Sequence, residues 1–127
     1  MVAVMHKVAG IGGVFLRGRD PAALRAWYAE RLGIDIDASY GGASFDWTPG
    51  GSTIWAVFPA DTDYFGRRDQ ASMVNYRVDD LDAMLAQLRG AGVEVIGDVE
   101  ESPQGRFSWA VDPEGNRFEL WEPPAGQ

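Results

Sequence analysis

Apolar residues alternate with small or polar ones from Ile11 to Gly18, the two-residue period of a half-buried strand, and a helical period follows. Asp20 and Pro21 supply an N-cap and a first-turn proline. Leu24, Tyr28 and Leu32 then recur at four-residue spacing with Trp27 beside them, and Gly33 ends the run. The same succession returns later in the chain. Met73 to Val78 predicts a strand, Asp79 or Asp80 a cap, and Leu81, Met84, Leu85 and Leu88 an apolar stripe ending near Gly90 to Gly92. Each stripe must cover a sheet. Three short strands are predicted after each helix, over 34–39, 43–48 and 53–58, then over 93–99, 106–111 and 117–122. The breakers Gly41-Gly42, Pro49-Gly50-Gly51, Pro103-Gln104-Gly105 and Asp112-Pro113-Glu114-Gly115-Asn116 separate them.

The two halves align with one another. Val14, Leu16, Arg17 and Asp20 precede Val74, Tyr76, Arg77 and Asp80 by 60 positions, and Phe45-Asp46-Trp47 echoes Phe107-Ser108-Trp109. Gly51 to Pro59 matches Gly115 to Pro123 at an offset of 64, which sets Trp55 against Glu119. A repeat of this kind predicts an α+β fold of two tandem β-α-β-β-β modules. A chain of 127 residues suits one domain, with module one at 10–59, a linker at 60–71 and module two at 72–124. The linker, rich in Asp, Arg and Gly, reads as exposed, with Tyr64 and Phe65 as its packing residues.

Composition removes several function classes. There are no cysteines, so disulfides, thiolate catalysis and zinc or iron–sulfur sites built on sulfur are excluded. A formal net charge of −8 repels phosphate backbones, and no nucleic-acid partner is expected. No apolar run approaches a membrane span, and Met1 to Val8 lacks the pattern of a secretory signal, so the expected location is cytoplasmic. Gly10 to Gly13 opens a strand rather than a helix and is a weak phosphate signal. The sequence shows no Ser-His or Cys-His pair, and the single His6 lies in the N-terminal tail.

The tandem modules, the Trp27-Tyr28 and Leu32-Gly33 helix end, and the closing Asp112-Pro113-Glu114-Gly115-Asn116 turn before Phe118-Glu119-Leu120-Trp121 resemble the vicinal oxygen chelate superfamily. Glyoxalase I, bleomycin resistance proteins, fosfomycin resistance enzymes and extradiol dioxygenases belong to it. The resemblance spans about Gly10 to Pro124. It implies a curved mixed sheet with both helices on the convex face, and a metal site on the concave face with ligands from the first and last strand of each half. Those positions fall on Gly13, Trp55, Met73 and Glu119, so three of four ligands are missing. No cofactor is expected, and a divalent metal would need ligands from elsewhere.

Strand alternation extends this face to Phe15 and Arg17, Thr53 and Val57, Asn75 and Arg77, and Arg117 and Trp121. Symmetric hairpins would add Phe45, Trp47, Phe107 and Trp109. A one-residue slip would turn any of these strands over. The expected site is an aromatic pocket of Phe15, Phe45, Trp47, Trp55, Met73, Asn75, Phe107, Trp109 and Trp121, with Glu119 as the candidate catalytic carboxyl and no metal. Three functions fit it. The first is metal-independent binding of a small aromatic or amphiphilic molecule, as the bleomycin resistance branch implies. The second is a metal-dependent lyase or isomerase of the glyoxalase type. The third is a ligand-free module acting through assembly. A homodimer is expected in each.

Overall fold

The computed structural model describes residues 5–47 and 50–126. The order of elements is β1 (Val8–Gly18), α1 (Pro21–Leu32), β2 (Gly42–Asp46), β3 (Ser52–Pro59), β4 (Ser72–Val78), α2 (Leu81–Gly90), β5 (Val95–Ser102), β6 (Gly105–Val111) and β7 (Arg117–Glu122). Both helices start where capping chemistry predicts. The Asp20 carboxylate accepts from the Ala23 amide and the Asp80 carboxylate from the Ala83 amide, and Gly33 ends α1 at a φ of 68°. The Leu32 side chain, Thr48 at the end of the expected strand 43–48 and Pro49 of the expected turn lie outside the described residues. Among the described residues no helix is long and apolar enough to cross a membrane.

The strands form one seven-stranded sheet in the order β2-β3-β1-β4-β7-β6-β5. β1 and β4 meet antiparallel at its centre with Val14 opposite Val74, the axis of the internal repeat. β3 runs parallel to β1 and β7 parallel to β4, so the two modules close symmetrically about that axis. The result is a curved, mixed α+β sheet with both helices on one side. Leu81, Met84 and Leu85 of α2 pack with Val78 and Leu120, while Leu24 of α1 reaches Gly18 and Val57 at the equivalent place.

One predicted strand is absent. Residues 34–39 make only an isolated bridge between Asp37 and Gly42, so module one supplies three strands rather than four. The reason is local: the Asp37 carboxylate accepts from both the amide and the hydroxyl of Ser39, closing the chain into a turn that competes with the ladder.

A second correction concerns register. Phe15 lies opposite Ala56 in the β1–β3 pair, and Asn75, its repeat partner, lies opposite Glu119 in the β4–β7 pair. The counterpart of Glu119 is therefore Ala56, not Trp55. One residue of slip inverts the strand. Trp55 and Val57 face the helix side, with the Trp55 ring 4.8 Å from that of Tyr28 in α1.

The linker is the third correction. It crosses the concave face and fills it: Phe65 is fully buried among Phe15, Ala56, Met73 and Trp109, and its ring lies 5.2 Å from Phe58. Arg17 fastens the segment, its guanidinium donating to the carbonyls of Ala60, Thr62, Arg67 and Gln70 at 2.7–3.2 Å while lying 5.1 Å above the Phe65 ring. Carbonyls of a strap outside the sheet ladder need donors from elsewhere, and one arginine fork supplies several.

Candidate functional site

Side chains that alternate toward the concave face converge on Glu119, which is 1% exposed. Its Oε1 accepts from Asn75 Nδ2 at 2.6 Å, and its Oε2 accepts from Trp109 Nε1 at 2.9 Å and from the Tyr64 hydroxyl. β4 places Asn75 beside β7, β6 places Trp109 opposite Glu119, and the strap brings Tyr64 down from above. Burial raises the Glu119 carboxyl above its ordinary value, and the hydrogen bonds from Tyr64, Asn75 and Trp109 oppose that rise. The Tyr64 phenol is held far above its usual range, first by burial and then by the Glu119 charge, so it stays protonated and donates.

The glycines of β1 make this network possible. β1 bulges between Ile11 and Gly13, and a Cβ on Gly12 would lie 2.0 Å from Asn75 Oδ1 and 2.8 Å from Trp121 Cε3. At Gly13 a Cβ would meet the Ile54 carbonyl oxygen at 2.5 Å. The space expected at Gly13 is thus taken by the neighbouring strand. Asn75 Oδ1 is buried without a partner.

The other predicted residues divide into groups. Phe15 and Met73 are core beneath the strap with Trp109. Phe107 and Trp121 stack in parallel at 6.1 Å, and the Arg77 guanidinium lies 5.1 Å from Trp121 and 5.8 Å from Trp47. Trp47 is half-exposed, and its indole N–H donates to Thr53. Phe45 pairs with Thr53 and Trp55 pairs with Ala43, on the helix side, so neither joins Glu119. Tyr64 was missed as a site residue. Its only signal was an aromatic pair in an otherwise polar linker.

The metal that the fold implies does not fit these residues. Gly13 and Ala56 offer no ligand and Met73 only a thioether, and both Glu119 oxygens are taken up by hydrogens from Tyr64, Asn75 and Trp109. Among the described residues no three His, Cys, Asp or Glu side chains come together. His6 is on the far side of the sheet, its backbone paired with the Gln87 amide of α2.

Beside the network a groove of about 680 Å³ opens to solvent, lined chiefly by Asp63, Tyr64, Asp98, Glu100, Trp109 and Arg117. β5 leaves its partner between Ile96 and Glu100, with Gly97 at a φ of 67°, and this bulge forms one wall. Tyr64 and Trp109 stand between the groove and Glu119.

The architecture has many solved counterparts. A methylmalonyl-CoA epimerase from Mycobacterium tuberculosis is 21% identical over 96% of this chain and 93% of its own, with a TM-score of 0.65. A variant of the Streptomyces coelicolor methylmalonyl-CoA epimerase, in complex with 2-nitronate-propionyl-CoA, is 19% identical over 94% and 100% with a TM-score of 0.68. A chain described as the NAD-dependent benzaldehyde dehydrogenase of Legionella pneumophila is 16% identical over 87% and 97% with a TM-score of 0.60. At these identities the likeness is one of fold. No curated protein sequence matches the chain significantly. The model of the glyoxalase-like domain matches residues 13–121, from the glycine bulge of β1 to Trp121 of β7. The chain belongs to the glyoxalase-like domain family, within the vicinal oxygen chelate superfamily that its closing motif resembles.

Proposed function

We propose that this domain binds a small aromatic or amphiphilic molecule, without a metal, in the groove over Tyr64 and Trp109. The observation that carries the reading is the state of Glu119: its oxygens are occupied by donors from Tyr64, Asn75 and Trp109, so it serves to fix two aromatic side chains at the groove floor. Aromatic side chains held by buried hydrogen bonds form a preorganised floor, and small-molecule pockets are built of apolar walls with few polar groups.

Tryptophan fluorescence tests it. A panel of aromatic amines, alcohols and acids is expected to contain compounds that quench emission in the wild type and not in Trp109→Phe, while Trp55→Ala, on the helix side, keeps the response. Quenching that survives Trp109→Phe and disappears in Trp55→Ala would move the site to the other face of the sheet.

A second reading starts from Glu119 as a general acid or base, favoured by its raised pKa. The methylmalonyl-CoA epimerases of the same fold make proton exchange at the carbon beside a thioester carbonyl the reaction to assay. Tyr64 and Trp109 screen Glu119 from the groove, and the expected result is exchange at background rate in wild type and Glu119→Gln alike. Exchange lost only in Glu119→Gln would put catalysis first. A homodimer is part of the proposal, since β2 and β5 are open sheet edges. Sedimentation giving only the monomer mass at tens of micromolar would remove it.

A further inference from the structure

Resting on the small-molecule reading, we propose that the groove selects an organic cation, a protonated amine or quaternary ammonium group carried on an apolar body. Asp63 enters the groove from the strap, and Asp98 and Glu100 enter it from the bulge of β5, with the indole of Trp109 and the ring of Tyr64 in the floor. Aromatic faces attract cations through their quadrupole, and carboxylates around them add to that attraction. Among the described lining residues the single cation is Arg117. Its Nη1 donates to the Tyr64 carbonyl while its Nε is buried without a partner, and its one positive charge is outnumbered by the three carboxylates.

Two further observations fit the same ligand class. Glu100 reaches the floor: after burial, its charge is the smallest of the causes that raise the Glu119 carboxyl, and a cation in the groove would offset its repulsion of an ionised Glu119. The groove carboxylates also fail to converge, since no three acidic or imidazole side chains among the described residues come within reach of one ion. A compact divalent cation needs convergent ligands, whereas a diffuse ammonium in a groove of about 680 Å³ needs only a negative rim and an apolar floor.

Calorimetric titration with three probes sharing one aromatic body decides it: benzyltrimethylammonium, benzyl alcohol and phenylacetate, at low salt. The cation is expected to bind at least about tenfold more tightly than the alcohol, with phenylacetate weakest, and the preference should shrink with added salt. In the double variant Asp98→Asn, Glu100→Gln the ratio of cation to alcohol should fall toward one. Equal binding of cation and alcohol, or tightest binding of phenylacetate, overturns the cation assignment and leaves the small-molecule reading standing. Binding of none of the three by a folded protein overturns both.

Discussion

Glu119→Leu is expected to destabilise the domain by about 4 kcal/mol, because each of the donors from Tyr64, Asn75 and Trp109 would be left buried without an acceptor at about 1–3 kcal/mol apiece. For a chain of this size that corresponds to a fall of roughly 12–20 °C in the thermal midpoint. Glu119→Gln keeps the shape and should cost under about 2 kcal/mol. Its amide oxygen accepts from Tyr64 and Trp109, and its amide N–H meets the unpartnered Asn75 Oδ1 once that amide turns over. The pair of variants also reports protonation. Burial raises the native Glu119 carboxyl above its unfolded value of 4.5, so the native state holds this proton more tightly than the unfolded chain. The corresponding stabilisation is complete below that value and is lost as pH rises through the native one. Urea denaturation at pH about 4 and about 8 should therefore show Glu119→Gln gaining on the wild type at the higher pH, other carboxylates cancelling in the comparison. A difference independent of pH would mean that Glu119 titrates as an ordinary carboxylate. A leucine variant as stable as the wild type would mean that the network contributes nothing.

Much of this site could be read from the chain, and the failures have physical causes. Glu119 was marked by the Asp112 to Asn116 turn that precedes it, and strand parity placed Asn75, Phe107, Trp109 and Trp121 on its face. β3 was read one residue out of register because glycine-rich turns, Gly50-Gly51 and Gly115, anchored the comparison of the halves. Turns tolerate length changes, and only the pairing of Phe15 with Ala56 fixes the face. Trp55 consequently looked like a pocket residue although it packs on Tyr28. Residues 34–39 show the alternation of a strand, but Asp37 satisfies Ser39 locally and ends it. Tyr64 was invisible for a different reason. Its role depends on the strap lying across a distant part of the sheet, and neither period nor motif in the linker encodes where that strap lands.

The strap supports the second large effect. Phe65→Ala is expected to cost about 3–5 kcal/mol, the usual range for truncating a fully buried phenylalanine. A residue between two modules would ordinarily tolerate change, as Trp27→Ala on the half-exposed face of α1 should, at about 1 kcal/mol or less. Phe65 differs because its ring fills the concavity between Phe15, Met73 and Trp109, and its truncation leaves a cavity among them. Arg17→Met should cost less, about 2 kcal/mol, since the carbonyls it releases lie near the surface and can turn to water. Denaturation midpoints rank the three variants, and hydrogen exchange localises the effect: the amides of Gly66 and Gln70, bonded within the strap to Asp63 and Arg67, should exchange faster in both Phe65→Ala and Arg17→Met than those of β4. The position of Tyr64 follows from its neighbours, so a strap loosened in this way also releases the phenol from Glu119 and opens the groove floor. If Phe65→Ala costs no more than Trp27→Ala, the strap is not part of the core, and the arrangement of Tyr64, Trp109 and Glu119 would have to be held by the hydrogen bonds alone.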